Sequence, residues 1–239
     1  MAQRKTGFRF GRFLIKTVLY LLLASLLYLI VCRWVFPPIT ITQANALLSG
    51  HGLQRNYVSW QEISPNVKLA AIASEDQLFL THNGFDWKAI EKSIESGNGR
   101  RKKRRVKGAA ASTISQQTAK NVFLWQGTGW GRYVRKVPEA FYTAVTELIW
   151  GKQRILEVYL NVIEMGPGIF GIEAASNVYF NKSAKDLTRK EAAMIIACLP
   201  NPKRFTVKPV SARVRWRTPG ITRQMRLIEG DPAIRALVH

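Results

Sequence analysis

The chain has little cysteine and no cluster of metal-binding side chains. Its 239 residues include two cysteines, Cys32 and Cys198, and each lies in an apolar stretch of the sequence. Two cysteines in separate apolar helices do not predict a disulfide, and so low a count does not identify the redox compartment. No group of His, Cys and carboxylate residues has the spacing of metal ligands, so the sequence predicts no metal site.

Acidic residues are scarce as well. The sequence has 15 Asp and Glu against 36 Lys and Arg, which gives a formal net charge of +21 at pH 7. Five of the cations precede the first apolar run, and seven more stand within residues 100–107, where there is no acid. A surface this basic favours a polyanionic partner, which is nucleic acid, anionic lipid or a diphosphate.

Long apolar runs are limited to one near the N-terminus. Residues 17–32 carry no charge and are rich in Leu, and apolar flanks at 13–15 and 34–36 extend them. With its flanks the run reaches the roughly 20 residues that span a bilayer core. The Lys and Arg residues before it predict a cytoplasmic N-terminus. A cleaved signal peptide is the alternative, but no small-residue cleavage site follows the run.

Alternating strand patterns are scarce after this run, whereas helix signals are frequent. Ser64 and Pro65 predict an N-cap and a first helical residue, in a helix that ends near residues 82–84. Asp86 predicts the N-cap of a second helix over residues 87–96.

Two further helices are predicted in the second half of the chain. Thr188 opens a capping box and a helix to Leu199, and residues 152–161 place four apolar side chains on one helical face. The fold class is therefore all-α with one N-terminal transmembrane helix. The predicted segments are a basic cytoplasmic tail (1–16), a transmembrane helix (17–36), a linker (37–54) and one domain (55–239).

Two patterns have other interpretations. Residues 166–171 match G-x-G-x-x-G, but a dinucleotide site needs a strand before this motif and a helix opening on its last glycine. A helix is predicted before it and Pro167 restricts the turn, so we interpret it as a flexible turn.

The basic block at 100–107 is typical of nucleic-acid patches. Because it follows a predicted membrane anchor, it indicates either a solvated loop or contact with anionic headgroups.

Four polar segments follow one another at defined spacings, at residues 75–84, 108–121, 135–139 and 152–161. With the stretch 171–202 they resemble the signature motifs of the peptidoglycan glycosyltransferases, glycosyltransferase family 51. The resemblance extends over about residues 55–228, and it is to monofunctional members, which lack a penicillin-binding domain. The family's fifth motif, a double-Arg segment, is met only loosely at residues 213–225.

The resemblance implies a lysozyme-like helical fold and a defined reaction. The donor is a glycan joined through diphosphate to a polyprenyl lipid, and the acceptor is lipid II. An acceptor hydroxyl displaces undecaprenyl diphosphate, and an α-linked donor becomes a β-1,4 product by inversion. Such a reaction needs a general base for the hydroxyl and positive charge for the leaving group.

The motifs carry candidate residues for these needs. Glu75, at the polar end of an apolar helix, is the candidate base, and Glu139 is the second catalytic carboxylate. The predicted substrate-binding residues are Lys120, Lys136, Arg135, Arg132, Gln117, Ser112 and Thr113. Asp76, Phe79 and His82 are assigned to shaping the site.

The resemblance also implies a setting. It places the enzyme in the bacterial inner membrane as a single-pass protein, with a periplasmic domain that makes cell wall. Its partners are the membrane, lipid II, lipid-linked glycan and proteins of cell division or elongation, and not nucleic acid. No cofactor is required; the family allows Mg²⁺ or Mn²⁺ at the diphosphate. A membrane-anchored lysozyme-like hydrolase or lytic transglycosylase and a non-enzymatic cell-wall scaffold are the alternatives.

Overall fold

The computed structural model describes residues 4–91, 112–126 and 129–239, which form two compact units, residues 1–37 and 38–239. The first unit contains α1 (Arg4–Val31). Its segment Gly11–Val31 is long and apolar enough to cross a membrane, which fits a single-pass anchor. The described chain is mostly helical, so the predicted fold class is confirmed.

The second unit begins with a helix in the segment that was predicted to be a linker. Helix α2 covers Ile41–Leu48, and a capping box between Thr40 and Gln43 opens it. Such a box satisfies amide groups that the first turn leaves unpaired. The strand β1 (Gln54–Arg55) follows. Half of segment 37–54 is therefore regular secondary structure.

The remaining helices form the body of this unit. They are α3 (Pro65–Glu75), α4 (from residue 87, described to 91), α5 (Ile114–Phe123), α6 (Gly131–Val134), α7 (Lys136–Val162), α8 (Ile172–Phe180), α9 (Arg189–Ile196), α10 (Ala212–Ile228) and α11 (Pro232–Val238). Helix α7 has a break at Gly151, which has φ 74°.

Helix α3 lies at the centre of the core. All of its residues from Val67 to Ala73 are buried, and it packs against α9, α10 and α11. Ala70, Ala71 and Ala73 let these neighbours approach closely, because the distance between helix axes follows the size of the contact side chains. Helix α5 packs along α7. The packing of these two groups, α3 with α9, α10 and α11 and α5 with α7, places the end of α3 beside the N-terminal half of α5.

The glycine motif is an ordered hairpin and not the flexible turn that its sequence indicated. Strands β2 (Glu164–Gly166) and β3 (Ile169–Phe170) pair antiparallel, and β1 pairs parallel to β3. Gly171 has φ 83°, and its amide donates to the carbonyl of Ile163 at 3.0 Å. This hydrogen bond closes the hairpin at the end of α7.

Helix starts agree with prediction, but two helix ends do not. Ser64, Asp86 and Thr188 are N-caps, and each side chain accepts from a backbone amide. The predicted end of α4 lies outside the described residues. Helix α9 ends at Ile196 and continues as turns to residue 200, instead of remaining helical to Leu199.

Helix α3 ends at Glu75, seven residues or more before the predicted end at 82–84. Asp76 leaves the helical region, with φ −162° and ψ 79°. Its carboxylate accepts from His82 and from the amide of Ile114. These hydrogen bonds hold residues 76–84 in turns. The segment that was predicted to extend the helix therefore forms part of the site instead.

Candidate active site

Glu75 is the last residue of α3, and it is half-buried. The hydroxyl of Ser74 donates to its Oε1 at 3.0 Å, and the amide of Gln117 donates to its Oε2 at 3.3 Å. The hydroxyl of Tyr159 donates to Oε1 of Gln117 at 3.3 Å, which leaves the amide nitrogen of Gln117 to face Glu75. One carboxylate oxygen is thus held from α3 and the other from α5.

Burial raises the pKa of Glu75, and a carboxylate Coulomb interaction with Asp76 adds to the effect. The hydrogen bonds from Gln117 and Ser74 and the charge of Arg217 oppose it. A raised pKa strengthens the ionised carboxylate as a proton acceptor, because basicity and pKa rise together. The environment of Glu75 therefore suits a general base.

Two clefts flank the hydrogen bond between Glu75 and Gln117. The Glu75 cleft has a volume of about 390 Å³ and is lined by Ser74, Glu75, Asp76, Gln77, Leu78, Asp86, Ala89 and Thr113. The Lys120 cleft has a volume of about 370 Å³, and its polar lining residues are Gln117, Lys120, Asn121, Gln126, Glu164, Asn201 and Lys203. The lining of the Glu75 cleft is acidic, whereas the Lys120 cleft has two cations and one acid.

A group of cations stands beside Lys120. Burial lowers the pKa of Lys120, as do the charges of Arg135 and Lys136, while Glu139 and Glu75 raise it. Glu139 is buried, with 2% of its side chain exposed, and it pairs with Arg135 at 3.3 Å and Lys136 at 2.5 Å. Arg135 also donates to the carbonyl of Trp125 at 2.8 Å. Glu139 is thus the counter-ion that holds two cations near a third.

The predicted site-shaping residues lie together under the end of α3. Asp76 accepts from the ring of His82 at 2.9 Å and from the amide of Ile114 at 3.0 Å. Phe79 is fully buried, and Nζ of Lys152 lies 4.7 Å from its ring centroid. Lys152 also donates to the carbonyl of His82 at 2.6 Å. These contacts fix the turns that follow Glu75 against α5 and α7.

The remaining predicted binding residues have different positions. Thr113 lines the Glu75 cleft, but its hydroxyl already donates to the carbonyl of Gly84 and accepts from Gln116 as the N-cap of α5. The carbonyl of Ser112 accepts from Gln117 at 3.1 Å. Arg132 lies in α6, and its side chain is outside the part of the chain that the structure describes. The basic block at 100–107 lies outside it too.

Three residues of the site were missed by sequence reasoning. Arg217 of α10 donates to the hydroxyl of Ser74 at 3.0 Å, so a chain of two hydrogen bonds joins it to Glu75. Glu164 and Lys203 lie 3.9 Å apart in the Lys120 cleft. Arg217 belongs to the loosely matched fifth motif, which was the only signal for it. Glu164 and Lys203 had none.

No group of three or more His, Cys, Asp and Glu side chains in the described ranges has the geometry to hold a metal ion. The Lys120 cleft offers the carboxylate of Glu164 and the amide oxygens of Gln117, Asn121 and Asn201 as oxygen donors.

Comparison with known proteins gives a consistent result. Residues 42–226 match the sequence model of a family described as transglycosylase. A biosynthetic peptidoglycan transglycosylase of Shewanella oneidensis is 46% identical over 217 residues, which are 89% of this chain and 90% of that protein. The protein of the same name from Shigella boydii is 51% identical over 177 residues (74% and 70%). That of Bdellovibrio bacteriovorus is 43% identical over 202 residues (82% and 78%).

Proposed function

We propose how this chain, which belongs to the transglycosylase family and is a peptidoglycan glycosyltransferase of cell-wall synthesis, joins lipid-linked sugars. The acceptor, lipid II, lies in the Glu75 cleft. The donor places its diphosphate in the Lys120 cleft, and its reacting carbon lies between the two. One observation carries this arrangement: the acidic cleft and the cation-bearing cleft meet at the hydrogen bond between Glu75 and Gln117.

In the proposed reaction the 4-hydroxyl of the acceptor GlcNAc attacks C1 of the donor MurNAc. The hydroxyl proton passes to Glu75 as the new C–O bond forms. The bond between C1 and the diphosphate oxygen breaks, and its electron pair stays on the lipid diphosphate. Attack from the side opposite the leaving group inverts the configuration at C1, so the product is β-1,4-linked and no glycosyl-enzyme forms.

The leaving diphosphate gains negative charge as the bond breaks. Lys120, Arg135 and Lys136 supply positive charge at the side where that charge develops. Glu139 takes no proton in this scheme; it keeps Arg135 and Lys136 in place through its two ion pairs. A divalent cation bound by the diphosphate would add positive charge. The polymerisation rate, measured as EDTA or Mg²⁺ is added, gives the contribution of such a cation to catalysis.

The proposed setting is the bacterial inner membrane. Helix α1 crosses it once, with the basic residues of its N-terminal side in the cytoplasm. Residues 38–239 then lie in the periplasm, where lipid-linked glycan precursors are polymerised. Proteins of cell division or elongation are the proposed protein partners.

The experiment uses purified full-length protein in detergent, labelled lipid II and no other enzyme. Wild type should form long glycan and release undecaprenyl diphosphate. Loss of a general base removes about 10²–10⁴ of the rate, so Glu75→Gln should form no detectable polymer while it keeps its thermal unfolding midpoint. Polymer formation by Glu75→Gln at the wild-type rate would overturn the role of Glu75. Shortening of preformed glycan without polymerisation would overturn the synthase itself.

A further inference from the structure

Helix α2 has the opposite polarity from a helix that faces water. Its buried residues are Thr42, Gln43 and Ala46, which are polar or small. Its exposed residues are Asn45 and three large apolar residues, and these three, Ile41, Leu47 and Leu48, are 48%, 53% and 87% exposed. An amphipathic helix on a soluble protein buries its large apolar side chains and exposes its polar ones. In α2 the apolar face (Ile41, Leu47 and Leu48) points away from the protein.

The buried polar face is fixed by hydrogen bonds. Gln43 accepts from the amide of Thr40 at 3.1 Å and from Arg55 at 3.1 Å, and it donates to the hydroxyl of Tyr57 at 3.0 Å. A rotation of α2 that buried its leucines would break these bonds and leave buried polar groups unpaired, which is unfavourable. The outward direction of the apolar face is therefore built into the fold.

The sequence around α2 extends the same character. Residues 34–54 contain no Asp, Glu, Lys or Arg, although the chain as a whole is 21% charged. Ile39, just before the helix, is 44% exposed. Single exposed apolar residues are common on soluble proteins, but a cluster of four in an uncharged stretch marks an interaction surface.

The position of α2 in the chain selects the partner. Nine residues separate the end of α1 at Val31 from the start of α2 at Ile41. Ten Cα–Cα steps span at most about 35 Å, so a chain that leaves the bilayer near Val31 keeps α2 close to the membrane surface. An eight-residue helix is about 12 Å long, which suits a helix that lies along the interface.

We propose that α2 is a membrane-contacting helix whose apolar face, Ile41, Leu47 and Leu48, inserts into the boundary between headgroups and acyl chains of the periplasmic leaflet. This inference rests on the proposed topology. It commits to lipid because the face is apolar and uncharged, so the buried apolar area determines the contact and not headgroup charge.

The contact has a consequence for the site. Helix α2 packs against α5, which carries Gln117 and Lys120. A helix held at the headgroup level would set the height of α5, and with it the Lys120 cleft, above the bilayer. The donor's diphosphate lies at that level, since its lipid tail stays in the membrane.

The test places a fluorescent label on the apolar face in the full-length chain. Native Cys32 and Cys198 are 1% and 0% exposed, so the chain with no added cysteine serves as the labelling blank. Leu48→Cys carries the probe. Leu227→Cys, at a residue 69% exposed on α10, is the matched control, and Leu22→Cys reports the anchor itself.

Each labelled protein is reconstituted in two sets of phosphatidylethanolamine–phosphatidylglycerol vesicles. One set contains a lipid spin-labelled near its headgroup, and the other contains a lipid spin-labelled deep in its acyl chain, which probes the label at residue 22. We expect the label at 48 to lose most of its emission and the label at 227 to keep most of its own. Equal quenching at 48 and 227 would overturn the proposal. If the label at residue 48 is as shielded from water in detergent as in vesicles, and if copies of the chain cross-link through this residue, the partner of α2 is a second chain and not lipid.

The control in the anchor separates this inference from the function. If the label at residue 22 is not quenched by either lipid probe, α1 does not span the bilayer. This result would contradict both the proposed topology and the role of α2. If the acyl-chain probe quenches the label at residue 22 and the headgroup probe does not quench the label at residue 48, only the role of α2 is contradicted. Lipid II polymerisation by the same samples, measured in parallel, reports the activity independently of both.

Discussion

Glu75 joins three elements through its two carboxylate oxygens. Its own helix supplies Ser74, α5 supplies Gln117, and α10 reaches it from Arg217 through Ser74. Its pKa is raised by burial and by Asp76 and lowered by Gln117, Ser74 and Arg217. Protonation of Glu75 therefore depends on side chains of α3, α5 and α10.

Arg217 should set the acidic limb of the pH–rate profile. The pKa of Glu75 is raised by burial, and the charge of Arg217 lowers it. A base works only when it is deprotonated, so the rate should rise as pH rises through this pKa. Arg217→Gln removes the opposing charge, raises the pKa further and should move the limb to higher pH. The measurement is kcat/KM for lipid II against pH.

Arg215→Gln is the matched control, because Arg215 is exposed on the same helix. It should leave the limb in place. An Arg217→Gln profile that falls at every pH without moving would contradict the electrostatic role and indicate a purely structural one.

Glu139 should matter for stability as well as for rate. Arg135, with 8% of its side chain exposed, would be left without its counter-ion in Glu139→Gln. Loss of one partner of a buried ion pair costs about 3–5 kcal/mol, so the free energy of unfolding should fall by up to that amount. Denaturant unfolding measures the fall. A variant with wild-type stability and no activity would instead indicate that Glu139 acts directly on the substrate.

At the scale of elements, the hairpin β2–β3 is sensitive at its closing glycine. Gly171 has φ +83°, and a Cβ there would meet the backbone of Asn161. Gly171→Ala combines this clash with a strained φ, which alone costs about 1–3 kcal/mol, so its thermal midpoint should fall. Gly50→Ala is the control, because Gly50 has φ +73° and open space around it. Equal losses in both variants would show that the clash relaxes.

Local signals predicted where helices begin better than where they end. Ser64, Asp86 and Thr188 each cap a helix with a side chain that lies next to it in sequence. The end of α3 depends on Asp76, whose partners His82 and Ile114 lie six and 38 residues away. A contact across that distance produces no periodic pattern in the sequence. Residues 76–84 were therefore predicted as helix, whereas they fold as turns.

The polarity of α2 was hidden for a related reason. Its sequence, ITQANALL, is weakly patterned, and the uncharged segment 37–54 was interpreted as a linker. Only the tertiary structure identifies Thr42, Gln43 and Ala46 as the buried residues. The leucines then become the exposed ones.

At the scale of the whole molecule, the unit that starts at Pro38 has its own core. Buried residues of α3, α7, α8 and α9 form it. A chain that starts at Pro38 should therefore unfold in one cooperative thermal transition, and it should bind vesicles more weakly than the full chain, because it keeps α2 but lacks the anchor α1. Calorimetry and vesicle flotation measure the two properties. The absence of a transition would mean that residues 1–37 are needed for folding.

The sequence alone determined the class of the molecule. The apolar run, the helix caps and the four motifs lie in contiguous segments, so they predicted an anchor, an all-α fold, the family and Glu75 as the candidate base. The tertiary structure decided how the site is assembled: the two clefts, the counter-ion role of Glu139, and Arg217 behind Ser74. The physical reason is distance along the chain. Hydrogen bonds and ion pairs between α3, α5, α7 and α10 join residues up to 143 positions apart, and only folding brings them together.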